Sequence, residues 1–186
     1  MQVMIVLSVP GDGPVAALVL RPWRFDDLGA LVAAHRDLAL RRWLSTSLSD
    51  EATARQWLDV QAAGWAAANR FSFAVVTMDD RLLLGHIVVK VGTSAGTAEV
   101  GYWTAAHARN QGIAARGLET VSRWALSTQE IVPLTCLELL HAEDNHASCR
   151  VAAKCGFLLH DVLPAAPPAF PTRGHRHVRT ADGELT

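Results

Sequence analysis

Along this chain the period of hydrophobic and polar positions changes repeatedly, and each change marks an element. VAALVLRPW (residues 15–23) is a short run of Val and Leu closed by Pro22, which predicts a strand. RFDDLGALVAAHRDL (24–38) then spaces its apolar residues three and four apart behind Asp26 or Asp27 as an N-cap, which predicts a helix. Residues 49–70 open on capping and acidic residues, are rich in Ala, and carry Trp57, Leu58 and Trp65 at helical spacing, so a second helix follows. From Phe71 to Thr104 the pattern is that of three strands, split by turn chemistry at 78–81 and by the Gly/Ser/Thr cluster at 92–96, and an antiparallel meander is expected. A helix from Gly112 to about Leu126, a strand in PLTCLELLHAEDN, a short helix in HASCRVAAKCG and a strand in FLLHDVL complete the alternation. Four prolines between Pro164 and Pro171 then forbid regular helix and make a stiff connector, after which GHRHVR alternates as one last strand.

Strands and helices in the order β, α, α, βββ, α, β, α, β define an α/β chain of α+β character: a mixed sheet with helices on both faces. In such sheets ligands lie at the C-terminal ends of strands. There is no internal repeat and no long linker, so residues 15–186 are expected to be a single domain, with 1–14 as an N-terminal extension. A chain of 186 residues, 50% hydrophobic and 19% charged, can bury a sizeable core and is unlike a disordered segment. Its 17 lysines and arginines nearly cancel 18 acidic residues, which argues against nucleic acid as a partner. Three cysteines without a C-x-x-C spacing suit neither a disulfide framework nor a structural zinc site, and point to a cytoplasmic setting. The opening MQVMIVLSVPGDG lacks a positive flank and falls far short of the roughly 20 apolar residues that span a bilayer, so neither a signal peptide nor a membrane segment is expected.

One stretch carries candidate chemistry. HARNQGIAARGLE (107–119) places Arg, Asn, Gln and Gly at the mouth of an amphipathic helix. A helix start leaves backbone N–H groups unpaired and partly positive, so it binds phosphate oxygens without a charged side chain. Gly112 and Ala114 let phosphates approach, and Arg109 can add a charge-assisted contact. Gly112 to Gly117 has the glycine spacing of a P-loop, but Leu118 and Glu119 stand where Lys and Ser or Thr are required. PGDGPVA, with Gly11, Gly13 and Ala16, imitates a dinucleotide fingerprint but runs into strand-like residues and lacks the acidic partner, so it is expected to be a plain turn.

Arg109-x-x-Gly112-x-Ala114 resembles the (Gln/Arg)-x-x-Gly-x-(Gly/Ala) signature of the GNAT acetyltransferase superfamily. EDNHASCRVAAKCGF, with Asn145, Ser148, Val151, Lys154, Gly156 and Phe157, is similar to the N-x-x-S-x-x-V-x-x-K-x-G-F segment of the branch containing ribosomal-protein N-terminal acetyltransferases. LRPWRFDDLGAL resembles that branch's opening, and the likeness runs from about Ala17 to Val162. It implies a single-domain GNAT fold whose mostly antiparallel sheet is splayed at the acetyl-CoA site. Acetyl-CoA would be the donor, with Arg109, Asn110, Gln111, Gly112, Ile113 and Ala114 at its pyrophosphate. The strand Glu99 to Thr104, including Tyr102 and Trp103, would pair with the pantetheine, and Asn145 would bond the same arm. As a residue, Asn145 also reads as the cap of the short helix.

Acetyl transfer needs a neutral amine, an oxyanion donor, a route for the amine proton and an acid for the departing thiolate. Backbone N–H groups of the Glu99 to Thr104 strand suit the oxyanion, and Glu99 is the candidate base. Many relatives use a tyrosine after the second motif as the acid, but the one tyrosine here, Tyr102, lies on the earlier strand and reads as a packing residue. Ser148, one helical turn after Asn145, is the substitute the resemblance suggests. His175 and His177 share a strand face but lack a third ligand at fixed spacing, so no metal is expected and they are assigned to a surface or to the acceptor cleft. Trp43, between helices, is a candidate wall of that cleft, and Arg36, Arg41 and Arg42 suit an anionic acceptor. The function expected is acetyl transfer to a primary amine, on a peptide or protein N-terminus or a small molecule. The rival is a non-catalytic acyl-CoA-binding or regulatory module. The last strand or the proline segment offers a surface for a homodimer.

Overall fold

A computed structural model describes residues 5–11, 16–167 and 170–181. They build one sheet from β1 (Leu7–Val9), β2 (Leu18–Pro22), β3 (Arg70–Thr77), β4 (Leu83–Val91), β5 (Thr97–Thr104), β6 (Cys136–Ala142), β7 (Leu158–Leu163) and β8 (Gly174–Thr180). The order across the sheet is β1-β2-β3-β4-β5-β6-β8-β7. Every neighbouring pair is antiparallel except β5 and β6, which run parallel.

Both faces of the sheet are covered, which is why β3 and β4 read as nearly continuous apolar runs. Phe71, Phe73 and Val75 point to one face, where α4 (Ile113–Arg123) and α5 (His146–Lys154) lay Leu118, Val121 and Ala152 against them. Ala74 and Val76 point to the other, under α1 (Leu28–His35), α2 (Leu38–Arg41) and α3 (Glu51–Ala66), where Leu31, Leu40, Leu58 and Trp103 form a second core. The meander β3–β4–β5 and the four longer helices lie where their sequence patterns place them, and α4 passes into a single π turn at Trp124–Thr128.

Three features differ from the sequence expectations. Residues 7–9 of the supposed extension pair with β2, Leu7 opposite Leu20, and Arg116 of α4 donates from Nη2 to the carbonyls of Pro10 and Ala16 at 2.6 and 2.9 Å. The strand expected from Val15 begins at Leu18, and Val15 and Gly13 lie outside the described residues. Asp27 does not cap α1 with its side chain: a 3-10 turn, Phe25–Asp27, precedes the helix, and the carboxylate accepts the Arg24 N–H and both terminal nitrogens of buried Arg21, each at 2.8 Å. The last strand, β8, is not an edge available to a second copy, because β6 and β7 occupy both its sides.

The feature that positions a site is where β5 leaves β6. Their pairing runs only from Thr97 opposite Cys136 to Val100 opposite Leu139. Beyond it, β5 continues to Thr104 along β4, and β6 continues to Ala142 along β8. A wedge therefore opens at the C-terminal ends of two parallel strands.

Candidate active site

One wall of the wedge is the loop from β5 into α4. After a 3-10 turn at Ala106–Ala108, Asn110 and Gly112 both take left-handed backbone conformations, φ 61° and 71°. Asn is one of the few side-chain-bearing residues that tolerate this, and Gly takes it freely. Gly112 is the N-cap of α4, provides no side chain to cap it, and no acid occupies the first turn. The helix's leading N–H groups, which no intrahelical carbonyl can reach, are left for another acceptor. A Cβ built on Gly112 would find only Arg116 Cδ, at 3.9 Å, so the space before the helix is open. Asn110, Gln111 and Gly112 are exposed, Ala114 is half-buried, and Ile113 anchors the turn in the core. Gln111 donates to the carbonyl of His107 at 3.0 Å. The Arg109 guanidinium is turned to Asp37, between α1 and α2, and holds that carboxyl below the usual range.

The opposite wall is the start of α5. Asn145 caps it, its Oδ1 accepting the Ser148 N–H at 3.2 Å, so the capping reading of this residue holds. The Ser148 hydroxyl stands beside that of Tyr102, which reaches across from β5. Burial pushes the phenol up to about 12, and Ser148 pulls the other way. The Tyr102 oxygen is buried and has no hydrogen-bond partner of normal geometry. The residue assigned to packing thus packs with its ring and turns its hydroxyl to the residue proposed as the acid.

On the other face of the sheet the wedge meets a cleft of about 140 Å³ beside Trp57, Trp103, His35, His86, Arg70 and Lys90. His86 is neutral: burial, helped by the charge of Arg70, depresses its pKa to about 3, and its Nδ1 accepts the Trp23 indole N–H at 3.0 Å. His35 is 2% exposed, lies edge-on to Trp103 at 5.4 Å, and neither of its ring nitrogens has a partner. Glu99 shares a β5 face with Trp103 and is ion-paired to Lys90 at 2.5 Å. Trp43 is not part of this wall: it is 40% exposed under the Arg42 guanidinium, and the chain after it, Leu44 to Thr46, lines the cleft instead. His35, Arg70, His86 and Lys90 escaped sequence reasoning, since no motif joins them.

His175 is half-buried and His177 buried, and neither lines this cleft. They lie on the opposite face beneath α5, where His141 of β6 and Cys149 of α5 join them. The ligand partners that sequence spacing could not supply come from two other elements.

The profile of the acetyltransferase (GNAT) domain matches residues 17–158, and the chain belongs to that family. It is an acetyl-CoA-dependent N-acetyltransferase, so the rival reading of a non-catalytic module gives way. Solved structures agree on the fold. A GNAT-family acetyltransferase from Bacillus anthracis is 17% identical, with 95% of this chain and 99% of that one covered at a TM-score of 0.78. RimJ from Mycobacterium smegmatis, solved with a CoA disulfide, is 20% identical over 96% of this chain and 87% of that one, TM-score 0.74. A ribosomal-protein-S5-alanine acetyltransferase from Vibrio fischeri is 16% identical over 89% of this chain and 93% of that one, TM-score 0.77. No curated protein matches by sequence.

Proposed function

We propose that the chain acetylates a primary amine that carries an anionic group nearby, on a peptide or protein N-terminus or on a small molecule, by direct attack within a ternary complex. The observation that carries this reading is the wedge between β5 and β6: two helix starts flank it on one face and the Trp57–Trp103 cleft meets it on the other. The open N-terminus of α4, from Arg109 to Ala114, suits a pyrophosphate, and the free edge of Tyr102, Trp103 and Thr104, with Asn145 opposite, suits the amide-bearing arm of the donor. The acceptor enters through the cleft. There Arg70 and Lys90 line the cleft and Lys90 is paired with Glu99 beside it, so that one carboxylate against two cations disfavours polycations.

The amine nitrogen attacks the thioester carbonyl and its proton passes to Glu99, directly or through one water. Backbone N–H groups of β5 hold the oxyanion. The C–S bond then breaks with its electron pair on sulfur, and the Ser148 hydroxyl protonates the thiolate and regains a proton from solvent. The unpaired cysteines Cys136, Cys149 and Cys155 suit a reducing, cytoplasmic setting. The test is thiol release from acetyl-CoA across a panel of amines. The reading expects turnover with peptides and amines bearing a carboxylate or phosphate and little with spermidine; preference for spermidine would contradict the charge argument.

A further inference from the structure

Beneath α5, His141, Cys149, His175 and His177 bring one ligand atom each within 4.8 Å of one another. We infer that these four side chains form a structural site for one divalent zinc ion, separate from the acyl-transfer centre.

Strand register assembles three of them. His141 is opposite His175 across β6 and β8, and His177, two residues on, lies on the same face. Cys149 comes down from α5, with Sγ 3.3 Å from His175 Nδ1 and 3.7 Å from His141 Nε2. Zinc sits about 2.0–2.1 Å from nitrogen and about 2.3 Å from sulfur, so tetrahedral S and N ligands stand roughly 3.5 Å apart. The two sulfur distances bracket that value. His141 Nδ1 donates to the Ala142 carbonyl at 2.8 Å, which fixes the tautomer and leaves the Nε2 lone pair facing the sulfur, as an outer partner of a metal-bound imidazole does.

His177 is the independent sign. It is 5% exposed, and neither ring nitrogen has a hydrogen-bond partner of normal geometry. A buried imidazole with only the Phe157 backbone near it, and no hydrogen bond of normal geometry, is costly. Hydrogen bonding within the cluster serves Cys149, His141 and His175 but leaves His177 out, whereas a metal ion uses its lone pair. Three imidazoles and one thiolate are a borderline-soft set that suits zinc, and four protein ligands close the shell, so the ion is structural. On binding, the Cys149 thiol releases one proton to solvent. The ion would pin α5, with Asn145 and Ser148 at its start, to β6 and β8.

The protein is stripped with a chelator, dialysed, and titrated with Zn²⁺, with bound metal measured by elemental analysis, and in parallel with Co²⁺, followed by absorption. The inference expects one equivalent of zinc, a rise in melting temperature on binding, and a thiolate-to-cobalt charge-transfer band. C149S and H177A should lose the bound equivalent, and C136S, altered outside the cluster, should keep it. Substoichiometric zinc, no thiolate band in the wild-type cobalt complex, or full binding by folded C149S or H177A would overturn it. The wild-type cobalt spectrum decides the matter if a variant fails to fold.

Discussion

Ser148 and Tyr102 show how one position is read twice. The hydroxyl proposed to protonate the leaving thiolate stands next to a buried phenol kept protonated by its surroundings. Ser148→Ala should lower kcat by on the order of 10²-fold, the usual weight of a positioned acid, while acetyl-CoA affinity measured by titration stays the same; an unchanged kcat would reduce Ser148 to a helix-surface residue. His86 carries a different expectation. Its folded pKa, about 3, lies below the ordinary 6.5, so folding favours the neutral ring. The stability this gives is present above pH 6.5 and is lost as pH falls from there toward 3, because the unfolded chain takes up the proton first. At about 1.4 kcal/mol per pH unit, urea unfolding should show the wild type losing about 2 kcal/mol more than His86→Gln between pH 7 and pH 5. The loop proposed as the cradle was legible because Arg109 to Ala114 are contiguous and their chemistry is local. His35, Arg70, His86 and Lys90 were not, because they converge from α1, β3 and β4 only after the sheet has formed.

Among the elements, helices and strands with a strong period declared themselves, and the departures have physical causes. β1 is three residues long, too short to show alternation, and is held by its pairing with β2 and by Arg116. Asp27 stands where a cap is expected, yet the buried guanidinium of Arg21, 4% exposed, takes its oxygens, since an unpaired charge there would cost more than a lost cap. A close approach between β4 and β5 is also unmarked by any pattern. Gly85 of β4 lies so near β5 that a Cβ would come within 2.4 Å of the Trp103 carbonyl oxygen, a backbone atom that cannot swing aside. Gly85→Ala should therefore cost about 1–3 kcal/mol in urea unfolding and, because Trp103 walls the cleft, raise the acceptor KM. A neutral result would mean that β4 and β5 can separate freely there.

For the whole molecule, the proposed function has the sheet divide the labour: helix starts would take the donor on one face, aromatic and cationic side chains the acceptor on the other, and a gap in strand pairing connects the two. The sequence announced the mixed sheet and, through two short motifs, the family. It did not announce that β8 inserts between β6 and β7, because that pairing joins segments far apart in the chain, and so the His175–His177 pair could not be matched with His141 and Cys149. The proposed function places the pyrophosphate of the donor at the open start of α4. Its most direct test is calorimetric titration with acetyl-CoA of the wild type and of Gly112→Asp, which sets a carboxylate before the helix N-terminus, with circular dichroism to confirm that both are folded. Micromolar binding, about 8 kcal/mol, is expected of the wild type and none of the folded variant; equal affinity in the two would mean that the pyrophosphate does not lie at the start of α4.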